Sequence, residues 1–167
     1  MKKLVIFVLF VFLSGCNTLM NNKEAYLDFN CPKVFFSSNN RNYIDTSDSL
    51  DEVRVRANLN NFDINKCQQK NNIVIIPLDI LIIAEPLQSL EESNLSFPIY
   101  ISLLDKDDNV LETQYFLVSS SIKRNPETNL FIETDISDRL NIVSNYLNTT
   151  QLVLGFMLDN KKIDLLN

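Results

Sequence analysis

VRVRANLN, residues Val53 to Asn60, alternates strictly: Val53, Val55, Ala57 and Leu59 fall on one side, and Arg54, Arg56, Asn58 and Asn60 on the other. A period of two is what a strand with one buried and one solvated face requires. The next apolar residues, Phe62 and Ile64, are one position out of phase. One additional residue at Asn60-Asn61 accounts for the slip, so a β-bulge is expected there.

The same period carries downstream. IVIIPLDILIIAEP, Ile73 to Pro86, is nearly continuous and β-branched, the pattern of a strand covered on both faces, while Pro77 removes a ladder donor and suggests an edge or a break. Phe97, Ile99, Ile101 and Leu103 alternate, the polar run Asp105-Lys106-Asp107-Asp108-Asn109 follows, and Val110 to Ile122 resumes with Phe116, Val118 and Ile122 in phase. Two such runs around a polar turn predict a hairpin. Leu130 to Ile136 offers a further short strand around Phe131 and Ile132, and QLVLGFML, Gln151 to Leu158, closes the series.

Between these last two, Ser137 stands where a helix cap would, and Leu140, Val143 and Leu147, with Ile142 and Tyr146, recur at helical spacing. One short helix is expected near 137–148. Asp159 is placed to cap a last turn through Lys161, Lys162 and Leu165. Seven or so short strands with few helices predict a mainly β chain, an immunoglobulin-like two-sheet antiparallel sandwich with one or two short helices near the C-terminus. The alternative is an α+β layer in which the helix near 137–148 packs across one sheet. The Ser/Asn-rich stretch Ser37 to Asp48 reads as loop or strand. The predicted core is Val53, Val55, Leu59, Ile80, Ile82, Phe97, Ile99, Ile101, Phe116, Val118, Leu152, Leu154 and Phe156.

Ahead of the sandwich, Lys2 and Lys3 precede an uninterrupted apolar run, Leu4 to Leu13, and the small residues Ser14 and Gly15 stand before Cys16. Those are the parts of a secretory signal. The run is about half the roughly twenty residues a membrane span needs, so it reads as a cleaved signal. Leu13-Ser14-Gly15-Cys16 resembles the lipobox of bacterial lipoproteins. The resemblance implies cleavage before Cys16, diacylglycerol on its thiol, further acylation of its new N-terminus, and anchoring to the lipid membrane through these chains. By the same resemblance, Asn17, where an Asp would retain the protein in the inner membrane, implies the outer membrane, facing the periplasm. The organisation expected is signal peptide over 1–15, lipidated Cys16 and tether over 16–30, and one β-sandwich domain over 31–167.

Removing residues 1–15 takes away two lysines and no acid, leaving 13 bases against 21 acids and a formal charge of −8. Such a surface repels nucleic acid, and no basic cluster offsets it. With Cys16 acylated, Cys31 and Cys67 remain as a pair in an exported chain, where an oxidising compartment favours a disulfide over two buried thiols.

The chain has no histidine, which excludes Ser-His-Asp and Cys-His catalysis, imidazole metal ligation and a neutral-pH switch. Gly155 is the only glycine after residue 15, so no phosphate-cradling loop or dinucleotide fingerprint exists. Asp105 to Asn109 imitates the opening of a calcium loop, but Val110 stands where the glycine belongs and Phe116 where the bidentate Glu belongs. Asp79 and Glu85 are acids among apolar neighbours, with Asp79 expected to face solvent or pair with Arg54 or Arg56. No catalytic residue, metal or cofactor is implied, and the chain reads as a non-enzyme. Tyr100 and Tyr115 flank the predicted hairpin and are the candidates for an exposed aromatic strip, unless they serve only cross-strand packing.

At Cys31-Pro32-Lys33-Val34, at FPIYISLLDKDDNVLETQYF (Phe97 to Phe116) and at Gly155-Phe156-Met157-Leu158, the chain resembles a family of small alphaproteobacterial envelope lipoproteins. The resemblance implies a compact β-rich envelope domain and carries over no catalytic residue. The first functional expectation is therefore a structural or protein-interaction accessory in the periplasm with an envelope protein as partner. The alternatives are a module binding a small ligand, lipid or glycan, and, more remotely, a carboxylate-based hydrolase.

Overall fold

The computed structural model describes residues 26–46, 52–87, 94–159, 162 and 166. The lipobox and the apolar run before it lie outside the described residues. Ten strands are delineated: β1 (Leu27–Asp28), β2 (Lys33–Phe36), β3 (Asn42–Thr46), β4 (Val53–Ile64), β5 (Gln68–Lys70), β6 (Ile73–Pro86), β7 (Asn94–Leu104), β8 (Val110–Ser121), β9 (Thr134–Ser144) and β10 (Gln151–Phe156). They form the expected two-sheet sandwich, rich in antiparallel pairs.

In the first sheet β6 is central. On one side it pairs with β4 over its second half and with β5 over its start, and β3 and β1 flank β4 and β5 respectively. On its other side β6 pairs with β9 along eleven positions, from Val74↔Ser144 to Ala84↔Thr134. The second sheet has the order β2-β10-β7-β8, with β2 parallel to β10 and the other pairs antiparallel.

The sheets meet through one face of each strand. Val55, Leu59, Ile76, Leu78, Ile82 and Ile142 from the first sheet bury completely or nearly so against Phe97, Ile99, Ile101, Leu103, Leu152, Leu154 and Phe156 from the second. Tyr43 rests edge-on against Phe97 and tilted against Phe156, with ring centroids 5.6 and 5.2 Å apart. Of the core expected from alternation, Val53 and Phe116 are only half buried, the first at the start of β4 and the second on the terminal strand β8.

The bulge falls where the phase slips: the β4–β6 register shifts between Leu59 and Asn61, leaving Asn60 unpaired with β6. Arg41 clamps it, its Nε donating to the Leu59 carbonyl at 2.9 Å while Leu59 N–H donates back to the Arg41 carbonyl at 3.0 Å. Beyond the bulge Phe62 turns inward and meets Phe36 edge to face at 5.1 Å.

Three expectations are corrected. The segment 137–148 is not a helix: β9 runs through Ser144, burying Thr134, Ile136, Leu140, Ile142 and Ser144 at a period of two. Leu140 is 4% exposed while Val143 is 50% exposed, and Tyr146 and Leu147 also face solvent, so the helical stripe is not a buried surface. The strand expected over 130–136 reduces to a single bridge, Arg124↔Phe131, before β9 begins. Ile73–Pro86 is covered on one face only; Val74, Ile76, Leu78, Ile80, Ile82 and Ala84 are buried, while its odd positions from Ile75 to Ile83 are half covered by their neighbours.

Pro77 sits inside β6 without interrupting it. Its carbonyl accepts Asn65 N–H at 3.1 Å, so its donor-less nitrogen faces the same side, where β4 gives way to β5. The break suggested by the proline is in the neighbouring arm. Lys162 N–H donates to Asp159 Oδ1 at 2.9 Å, as at a helix start, and most of the expected last turn lies outside the described residues.

Candidate interaction face

The outward face of the second sheet is built from alternate positions of four strands. Cross-strand register sets Phe35 beside Val153, Val153 beside Ser102 and Ser102 beside Thr113 in one row. The next row is Gly155, Tyr100 and Tyr115, and the next sets Pro98 beside Leu117, with Met157 N–H donating to the Pro98 carbonyl at 2.9 Å. Hydroxyl pairs border the rows: Ser102 Oγ with Thr113 Oγ1 at 3.0 Å, and Ser96 Oγ with Ser119 Oγ at 2.9 Å.

Tyr115 and Leu117 are 66% and 65% exposed, and Phe35 and Met157 are also exposed. None of the described residues in these rows is charged, and Lys33, at the start of β2, lies beside Gln151 in the adjoining row, in a chain whose charged residues make up 22%. The contrast with the first sheet is direct. Its outer face carries Arg56, Asp63, Asp79, Glu85, Asp135 and Arg139. Contiguous exposed apolar side chains rimmed by polar residues make this face the candidate contact surface.

Of the two tyrosines singled out by sequence, the register places Tyr100 and Tyr115 directly opposite one another. Their surroundings differ. Tyr100 lies over Gly155, so close that a Cβ there would stand 2.8 Å from its hydroxyl and 2.9 Å from its ring. The glycine is thus a floor for the ring, and Tyr115 stands free. Sequence reasoning missed Phe35, Leu117 and Met157; the signal was present in the solvent-phase positions of the hairpin, Pro98, Tyr100, Ser102, Thr113, Tyr115 and Leu117, none of which is charged.

Cys31 and Cys67 are joined by a disulfide across 36 residues, linking the chain before β2 to the junction of β4 and β5 and so tying the two sheets at one end. Phe29 N–H donates to the Cys67 carbonyl at 3.2 Å, and β1 already pairs with β5, so the sandwich begins within the stretch read as tether. Beside the disulfide lies an open cleft of about 540 Å³ lined by Phe29, Asn30, Pro32, Lys33, Leu147 and Thr150, among others.

The remaining candidates are occupied by structural bonds. Asp79 pairs with Arg139, not with Arg54 or Arg56: Arg139 Nε and Nη2 donate to its two oxygens at 2.6 and 2.8 Å, and Asn65 Nδ2 donates at 2.6 Å. The reason is register, since Arg139 is directly opposite on β9, while Arg54 contacts Asp45 at 2.8 Å. The Arg139 bonds hold the Asp79 carboxyl below its ordinary range. Asp63 is the cross-strand neighbour of Asp79, yet a hydrolytic pair needs one acid with a raised pKa, and this pair is on an open face with Asp79 shifted the other way.

At the hairpin tip Asp105 Oδ1 accepts N–H bonds from Asp107 and Asn109 at 2.9 and 3.0 Å, and the Asn109 side-chain amide adds a bond to each oxygen. These bonds, the Asn109 amide first, hold its pKa below the ordinary value. The carboxylate closes the turn on its own backbone. Asp108 takes a positive φ of 63°, which Asp tolerates better than most residues. Among the described residues no cluster of three or more Cys, Asp or Glu is arranged to hold a metal ion. Compared with known proteins, the chain matches no family model, no curated protein and no solved structure.

Proposed function

We propose that the protein is a lipid-anchored accessory of the bacterial envelope, held to the outer membrane through Cys16, whose periplasmic sandwich docks an envelope protein on the outer face of its second sheet. The observation that carries this reading is the uncharged face spanning Phe35, Val153, Tyr100, Tyr115, Leu117 and Met157 on an otherwise charged surface. Aromatic residues and methionine are enriched in protein-binding patches and Lys, Glu and Asp are depleted there, as on this face.

The test is site-specific photocrosslinking in living cells. A photoreactive phenylalanine at Tyr115 is expected to trap a discrete adduct with another protein, at a mass other than twice that of the chain, whereas the same group at Asn141, on the outer face of the first sheet, does not. Equal labelling at both positions, or none at Tyr115, rejects the docking face. The anchor is tested separately by mass measurement of the mature N-terminus; an unprocessed Met1 removes the envelope assignment.

The cleft beside Cys31 supports a second reading, a small-ligand site at the end of the sandwich. Its volume is in the range of ligand pockets, but its lining mixes Asn30, Lys33 and Thr150 with apolar residues. Saturable binding of a lipid or glycan that is lost in Leu147→Asp would favour it over protein docking.

A further inference from the structure

We propose that two copies of this chain associate through β8, which pairs antiparallel with β8 of the second copy to make one continuous eight-stranded sheet. β8 is the terminal strand of the second sheet, and among the described residues its backbone bonds run to β7 alone. Natural edge strands are normally guarded by charge, proline, bulges or brevity. The other margins follow that rule: β2 and β3 have 4 and 5 residues, and β9 carries Asp135, Asp138 and Arg139. Thr113 to Ser121, TQYFLVSSS, has no charge, no proline and no bulge. The one acid of β8, Glu112, is turned inward to Ser144 and Gln114.

The sequence of β8 is complementary to itself in one register. With Phe116 opposite Phe116, Tyr115 of each copy faces Leu117 of the other, and Thr113 faces Ser119. Both exposed apolar side chains then meet aromatic-to-aliphatic across the seam, twice. Registers two residues to either side set Tyr115 against itself or against Ser119. Charge agrees in sign: the tip Asp105-Lys106-Asp107-Asp108 at one end of β8 is net −2, and the turn at the other end, with Lys123, Arg124 and Glu127, is net +1, its Arg124 stacked on Phe131 and donating to the Asn129 carbonyl. Antiparallel pairing therefore brings each acidic tip alongside the basic turn of the second copy. The two-fold axis is perpendicular to the sheet and closes the assembly at two copies.

The test uses the full chain in its native membrane and solubilised in mild detergent. Thr113→Cys with Ser119→Cys, under mild oxidation, is expected to give a covalent dimer on a non-reducing gel, while either single variant and the parent chain do not. Arg124→Glu should lower the crosslinked yield about tenfold, and adding Asp107→Lys should restore it. Sedimentation of the unmodified solubilised protein should give twice the chain mass. A monomer by sedimentation with no double-cysteine dimer overturns the proposal, and so does an adduct of another protein in place of the dimer. This outcome is independent of the docking face, whose test reads adducts of a different mass.

Discussion

Tyr100 covers Gly155 across adjoining strands β7 and β10, and a methyl group at position 155 would meet its hydroxyl at 2.8 Å and the Asn40 Cβ at 2.9 Å. Gly155→Ala therefore forces the ring or the strand to shift. The expected loss is about 1–3 kcal/mol by urea unfolding, the usual cost of overpacking. In a Tyr100→Ser background the loss should shrink, since both of the close Tyr100 contacts are removed; an unchanged cost would show that Tyr100 is not the obstacle.

Leu140 and Val143 are three residues apart on β9 but face opposite ways. Leu140→Asp buries an unpaired carboxylate and should cost at least about 3 kcal/mol or prevent folding. Val143→Asp should stay within about 0.5 kcal/mol, the range of ordinary surface changes. Comparable damage from both would restore the helical reading of this segment. Thermal melts suffice.

Replacing both Cys31 and Cys67 by Ser opens a loop of 36 residues and leaves a polar group at the buried position 67. A loss of about 3–4 kcal/mol is expected from loop entropy alone. Reduction of the native protein should lower its unfolding midpoint to a similar extent, and a reduced protein as stable as the oxidised one would contradict this.

Asp79 and Asp105 have carboxyl pKa values below their unfolded range, through Arg139 and through the Asn109 amide respectively. A depressed folded-state pKa stabilises the fold above the unfolded value, about 3.9, and that stabilisation fades as pH falls through the folded value. Asp79→Asn should flatten the stability–pH curve below about pH 4 relative to the parent, leaving its slope near neutrality unchanged. Acid titrations with identical slopes for the two proteins would refute the linkage. Both groups are partly open to solvent, so the amplitude is small and salt-sensitive.

Strand phase in β4, β7, β8 and β10 was legible because alternation is a local property: a strand with one buried face repeats every two residues whatever lies above it. The same locality made the bulge at Asn60 visible as a slip between Leu59 and Phe62. β9 was misread because Leu140, Val143 and Leu147 also satisfy a helical spacing, and eleven pairings to β6 outweigh a stripe that nothing covers. The pairing of Asp79 was likewise a matter of register, which set Arg139 opposite it from sixty residues away.

The sequence by itself determined the β character, the hairpin, the bulge and the cysteine pair, since each depends on short-range periodicity or on residue chemistry. Only the tertiary structure decided that Tyr100 rests on Gly155, that Phe35 and Met157 join Tyr115 and Leu117 on one face, and that Thr113 to Ser121 of β8 end their sheet unguarded. These are consequences of which strands lie side by side, and strand order is set by long-range packing that no window of neighbouring residues contains.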